Sequence, residues 1–272
     1  MRRAMATGLF GLVVVGFGVT AASAAARVAV GSDDRVTTAS QPPKYVIESL
    51  GFSVPQGAFD TTGTVSCPTG TATWGGGVEF NSFERDASIN TTEWDESTPG
   101  GWITRLNNPD PLTDTASVYA VCAKQPSGYE WVSHETDDPA GTQAFGVVSC
   151  PADKVILSGS VLSTGDTSNI YLIAARPVSA REFRAGQWNG SSTDQPFFVD
   201  ALCAAKPPGY ARTSGSATAT PGAESATFAA CPSATKVIGG GFGYSAAGPS
   251  VLTNASIPAS NSQGSFWDVI AE

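Results

Sequence analysis

The sequence predicts an all-β protein: three tandem antiparallel β units of roughly 80 residues, the third one incomplete. Three observations predict it. Cys-Pro pairs open at Cys67, Cys150 and Cys231, spaced 83 and 81 residues apart. Apolar alternation from Tyr45 onward is short, and Gly, Pro, Asn or Asp breaks it about every 8 to 12 residues, the signature of many short strands. No stretch keeps the 3.6-residue period that would read as an amphipathic helix.

The elements follow in chain order. Residues 1–26 read as a secretory signal peptide: Arg2 and Arg3, an apolar run from Gly8 to Val19, then small residues at Ala22-Ser23-Ala24. That run is too short for a membrane span, and no later one approaches the length. Residues 27–41 have little apolar pattern and are expected to form a flexible leader. The units then occupy 42–125, 126–206 and 207–272, each opening on a proline-led tyrosine: Tyr45, Tyr129 and Tyr210.

Within a unit, a first strand runs into the Cys-Pro pair. A second runs into a small-residue triplet eight residues on: Gly75-Gly76-Gly77, Ser158-Gly159-Ser160 and Gly239-Gly240-Gly241. The middle glycine recurs in all three and predicts a bulge or a close backbone approach. If that strand is regular, its seventh and eleventh residues after the cysteine share a face: Trp74 with Val78, Leu157 with Val161, Ile238 with Phe242. A third strand covers Ala87 to Trp94 and its equivalents. A fourth begins at Trp102, Phe183 or Trp267. The fifth carries the second cysteine, Cys122 or Cys203, with Val118, Ala120 and Cys122 facing the core. In the third copy that strand is missing. The period puts its cysteine roughly 15 residues past Glu272, which predicts an exposed sheet edge and an odd thiol at Cys231.

Export permits disulfides, and like units should staple alike. Cys67–Cys122 and Cys150–Cys203 are the expected bridges among the three connectivities that four cysteines allow. The units then form either a pseudo-threefold β-prism with one shared core or consecutive small sandwiches. The run of Cys-Pro, glycine triplet, Trp strand and Val-x-Ala-x-Cys-Ala resembles repeats of secreted actinobacterial proteins of unassigned function. Three such units also resemble, in architecture, the vitelline membrane outer layer protein, a β-prism; that likeness implies a glycan ligand without matching any contact residue.

Without Arg2 and Arg3 the chain carries 13 basic and 24 acidic residues. So acidic a surface argues against nucleic acid and anionic membrane as partners. His134 is the one histidine; with no companion ligand it predicts no zinc site and, with no Gly-x-Ser-x-Gly pattern, no catalytic triad. Asp110, Asp114, Asp137 and Asp138 lack calcium-loop spacing and read as solvated turns. Three Asn-x-Ser/Thr matches, at Asn90, Asn189 and Asn254, read as chance. No metal and no cofactor is expected.

The richest local constellation is Glu93, Trp94 and Asp95, followed by Glu96 and then Trp102. An aromatic platform beside carboxylates suits a sugar, and two carboxylates could serve a glycosidase. The expectation is a secreted, non-catalytic binding module for glycan or a cell-envelope polymer, with Glu93, Trp94, Asp95 and Trp102 as its site. The alternatives are a structural assembly protein, linked through Cys231 or the open edge of the third unit, and a carbohydrate-active enzyme.

Overall fold

The computed structural model describes residues 36–38, 41–81, 87–95, 100–165, 167–219, 223–245, 251–262 and 264–271. The expected signal peptide lies outside them. Among the described residues all regular elements are strands apart from one 3-10 turn, Thr167–Asn169. A short strand comes first, β1 (Val36–Thr38). The first unit holds β2 (Val46–Val54), β3 (Ala58–Ser66), β4 (Ala72–Phe80), β5 (Ser88–Asp95), β6 (Gly101–Asn108) and β7 (Asp114–Ala123). The second holds β8 (Glu130–Thr136), β9 (Gln143–Ser149), β10 (Lys154–Ser163), β11 (Ile170–Pro177), β12 (Glu182–Asn189) and β13 (Phe197–Ala205). The third holds β14 (Ser225–Ala230), β15 (Lys236–Gly239), β16 (Phe242–Gly243), β17 (Thr253–Asn261) and β18 (Gly264–Ala271).

Each of the first two units thus has six strands, one more than the pattern predicts. The additions, β2 and β8, are edge strands against the cysteine strands β7 and β13. Half exposed on both faces, they lack the clean alternation that marks a strand with one buried face.

The sheets do not respect the units. One six-stranded sheet runs β3-β6-β5-β10-β13-β8, its first half from unit 1 and its second from unit 2. Another runs β14-β18-β17-β4-β7-β2, joining unit 3 to unit 1, and a four-stranded sheet, β16-β11-β12-β9, joins unit 2 to unit 3. All strand pairings are antiparallel. The units therefore interleave rather than fold as sandwiches in a row, and Phe80, Phe183, Phe242 and Trp267 from all three lie in one core.

The glycine triplets make this possible. A Cβ on Gly76 would lie 2.3 Å from the Trp102 ring, one on Gly159 2.4 Å from Phe183 and one on Gly240 2.2 Å from Trp267. Trp102 of β6, Phe183 of β12 and Trp267 of β18 each pack directly over the middle glycine of their own unit, and no side chain fits between them. A bulge precedes the triplet: register shifts between Thr73 and Gly75 and between Ile156 and Ser158. This corrects the face assignment. Trp74, Leu157 and Ile238 do not share a cluster with Val78, Val161 and Phe242. They meet one another in a second cluster with Tyr45, Tyr129 and Tyr210, because one extra residue turns the side chain over.

Each of these tyrosines donates its hydroxyl to a backbone carbonyl of the preceding unit: Tyr129 to Thr73 (2.8 Å), Tyr210 to Ile156 (3.0 Å) and Tyr45 to Val237 (2.7 Å). Burial pushes the Tyr129 phenol up to about 12 and raises Tyr45 as well. Both expected disulfides are present, Cys67–Cys122 and Cys150–Cys203, each with a Cα–Cα distance of 5.6 Å. Cys231 forms no disulfide and is half-buried.

Two expectations about the chain's ends are corrected. The leader carries a strand, β1, and that strand covers the edge of β15 that the incomplete third unit was expected to expose. Backbone donors and acceptors left over in unit 3 supply the reason, since an extended segment satisfies them wherever it lies in the sequence.

Candidate functional site

The three seams where sheets pass between units differ in one residue type. At two of them the last triplet residue is glycine. A Cβ on Gly77 would lie 2.0 Å from the Ser256 carbonyl oxygen, and one on Gly241 would lie 1.8 Å from that of Ala175. Strands β17 and β4 pair there through Ala255↔Glu79 and Ser256↔Val78, and β11 and β16 through Ala174↔Gly243 and Ala175↔Phe242. In unit 2 the equivalent residue is Ser160. There β5 and β10 pair through Val161↔Thr92, and the Ser163 backbone N–H and hydroxyl donate to the Thr91 hydroxyl and the Asn90 carbonyl across the same seam.

A cleft of about 660 Å³ lies at that seam. Strand β5 contributes Glu93, Trp94 and Asp95, β6 Ile103, β8 Trp131 and Ser133, β10 Leu162, and β13 Phe198 and Asp200. Trp94 and Trp131 stack, with ring centroids 4.8 Å apart and planes within 12°. Two strands separate β5 from β8 in the sheet order, which in a flat sheet would hold them about 14 Å apart. The two long side chains lean toward each other across the two strands between them.

The polar groups are held in place. Glu93 lies 3.5 Å from the Arg105 guanidinium, and the Ser160 hydroxyl donates to Asp200 at 3.1 Å. Asp95 is buried. The cleft thus offers carboxylate acceptors beside aromatic and aliphatic surface, and its walls come from two units.

Of the predicted site residues, the structure brings Glu93, Trp94 and Asp95 together. Trp102 is separate: it is 1 % exposed, donates its indole N–H to Thr92 (2.8 Å), and serves the core over Gly76. It pairs with Trp94 across the two strands, and Trp94 and Trp131 pack against the cluster to which it belongs, so it supports the cleft's aromatic pair without lining the cleft. Glu96 lies outside the described residues. The sequence reading missed Trp131, Phe198 and Asp200, which come from the next unit. Two signals were present: Asp200 interrupts an otherwise apolar strand, and Ser160 replaces a triplet glycine.

The remaining candidates fall elsewhere. His134 is exposed on β8, opposite Val199. Asp138 is not a solvated turn residue but fully buried, accepting from the Gln187 amide at 3.0 Å; burial raises its carboxyl to about 6. Asn90, Asn189 and Asn254 are buried, where no glycosyl acceptor is reachable in the folded chain. Among the described residues no group of three or more His, Cys, Asp or Glu is placed to hold a metal, and no helix is long and apolar enough to cross a membrane.

The chain matches no protein-family model, and no curated protein matches it in sequence.

Proposed function

We propose that the protein is an extracellular binding module whose ligand is a glycan or a cell-envelope polymer, and that the seam cleft is its site. One observation carries the reading: a stacked tryptophan pair lies beside three carboxylates in a cleft large enough for a sugar ring or two. Indole surface packs on the C–H face of a saccharide, and carboxylates accept from its hydroxyls. The two stapled units that form the walls give the site a rigid frame, so little ordering would be required on binding.

The Glu93–Arg105 pair supports a non-catalytic role, since it keeps one carboxylate engaged in positioning. Titration of tryptophan fluorescence with a panel of soluble oligosaccharides and cell-wall fragments tests the proposal. Saturable binding should weaken about tenfold in Trp94→Ala and in Trp131→Ala and stay unchanged in Phe228→Ala, an exposed residue of β14. Binding to no member of the panel would end the glycan reading. Hydrolysis of a member, lost in Asp95→Asn, would favour the enzyme alternative.

A further inference from the structure

We propose that β1, which pairs with the edge of β15, is the detached last strand of unit 3, and that position 37 is the vacant partner position of a third disulfide with Cys231. The inference is independent of the glycan site and rests on register.

In unit 1 the cysteine strand meets its partner as Ala123↔Ala72, Cys122↔Thr73 and Val121↔Gly75, with the bulge between the last two pairs. In unit 2 the same three positions are Ala204↔Val155, Cys203↔Ile156 and Leu202↔Ser158, again with the bulge. In unit 3 they are Thr38↔Lys236, Thr37↔Val237 and Val36↔Gly239, and the irregularity falls at the same step. Thr73, Ile156 and Val237 each lie six residues past the Cys of their Cys-Pro pair. Strand β1 thus reproduces direction, register and bulge, and Thr37 stands where Cys122 and Cys203 stand.

The flanks agree. Each cysteine strand is followed by a proline-led turn into a tyrosine: Pro126 to Tyr129, Pro207 to Tyr210, and after β1 Pro42 to Tyr45. The tyrosine then bonds to the carbonyl six residues past a Cys of the preceding unit, and for Tyr45 that carbonyl is Val237. At the other end, Cys67, Cys150 and Cys231 donate their backbone N–H to the carbonyls of Gly100, Arg181 and Ser265, each two residues before Trp102, Phe183 or Trp267. The backbone about Cys231 is therefore held as it is where a disulfide forms. The three units close in a ring, unit 3 being finished by residues that precede unit 1.

The matched register predicts a third staple. In the full chain oxidised under the conditions that form the native bridges, Thr37→Cys should link to Cys231 within one molecule. Intact mass should fall by two hydrogens, thiol titration should read zero, and a peptide map should join residue 37 to Cys231. Val36→Cys and Thr38→Cys, whose neighbours on the ladder lie to either side, should leave both thiols titratable. Hydrogen exchange on the unsubstituted chain gives a readout that does not depend on a variant's folding: amides of 36–38 should be protected together with those of 236–239. Reactive thiols in Thr37→Cys, a link found only between two molecules, or unprotected amides at 36–38 would each overturn the proposal.

Discussion

At the scale of single residues, the arrangement depends on places where a side chain is absent. Gly159 has Phe183 on one side and the Asp200 carbonyl on the other, 2.4 and 2.6 Å from where a Cβ would stand. Gly159→Ala should therefore cost about 1–3 kcal/mol through overpacking, measured as a lower urea midpoint with unchanged m-value. Ser160 acts through its hydroxyl, which donates to the Asp200 carboxylate at 3.1 Å. Ser160→Ala should release that carboxylate from its fixed position; the expected outcome is saccharide binding weakened several-fold, about 1 kcal/mol for one hydrogen bond. Asp138 gives a pH signature. Its carboxyl moves from an ordinary 3.8 to about 6 on folding because burial penalises the charged form. The folded chain then holds the proton more tightly than the unfolded one. This contribution is complete below about 3.8, declines as pH rises through about 6, and amounts to on the order of 2–3 kcal/mol. Burial raises Asp268 in the same direction. Chemical denaturation at a series of pH values should show that fall in the native chain and a much smaller one in Asp138→Asn.

At the scale of elements, the disulfides join the turn before each second strand to the cysteine strand, across loops of 55 and 53 residues. Removing one in a Cys150→Ser/Cys203→Ser double variant should cost about 4 kcal/mol by loop closure, read as a thermal shift against the native chain. These bridges were legible because repeats staple alike. The strands carrying Trp102, Phe183 and Trp267 were legible because each holds one large side chain in a fixed place. The turnover of Trp74, Leu157 and Ile238 into a second cluster was not, since a bulge leaves the alternation pattern intact on both sides of itself. Edge strands β2 and β8 were missed for want of a buried face. Half of the cleft was out of reach for a different reason. Trp94 and Trp131 are brought together by sheet order, and sheet order between units is set by which backbones can approach, as at Gly77 and Gly241, rather than by any local pattern.

At the scale of the whole molecule, three repeats interleave into one ring. Every large sheet takes strands from two units, and the tyrosine bonds pass from each unit to the one before it, Tyr45 reaching back to unit 3. A unit removed from such a ring would leave two half-sheets without partners, so the parts should not melt separately. The candidate site follows from the same arrangement, since a cleft walled by two units exists only while they share a sheet. Differential scanning calorimetry of the oxidised chain tests the ring most directly. An interleaved ring should give a single transition whose calorimetric enthalpy equals its van't Hoff enthalpy. Resolved melting steps, or a calorimetric enthalpy near three times the van't Hoff value, would show the units unfolding one by one and contradict it.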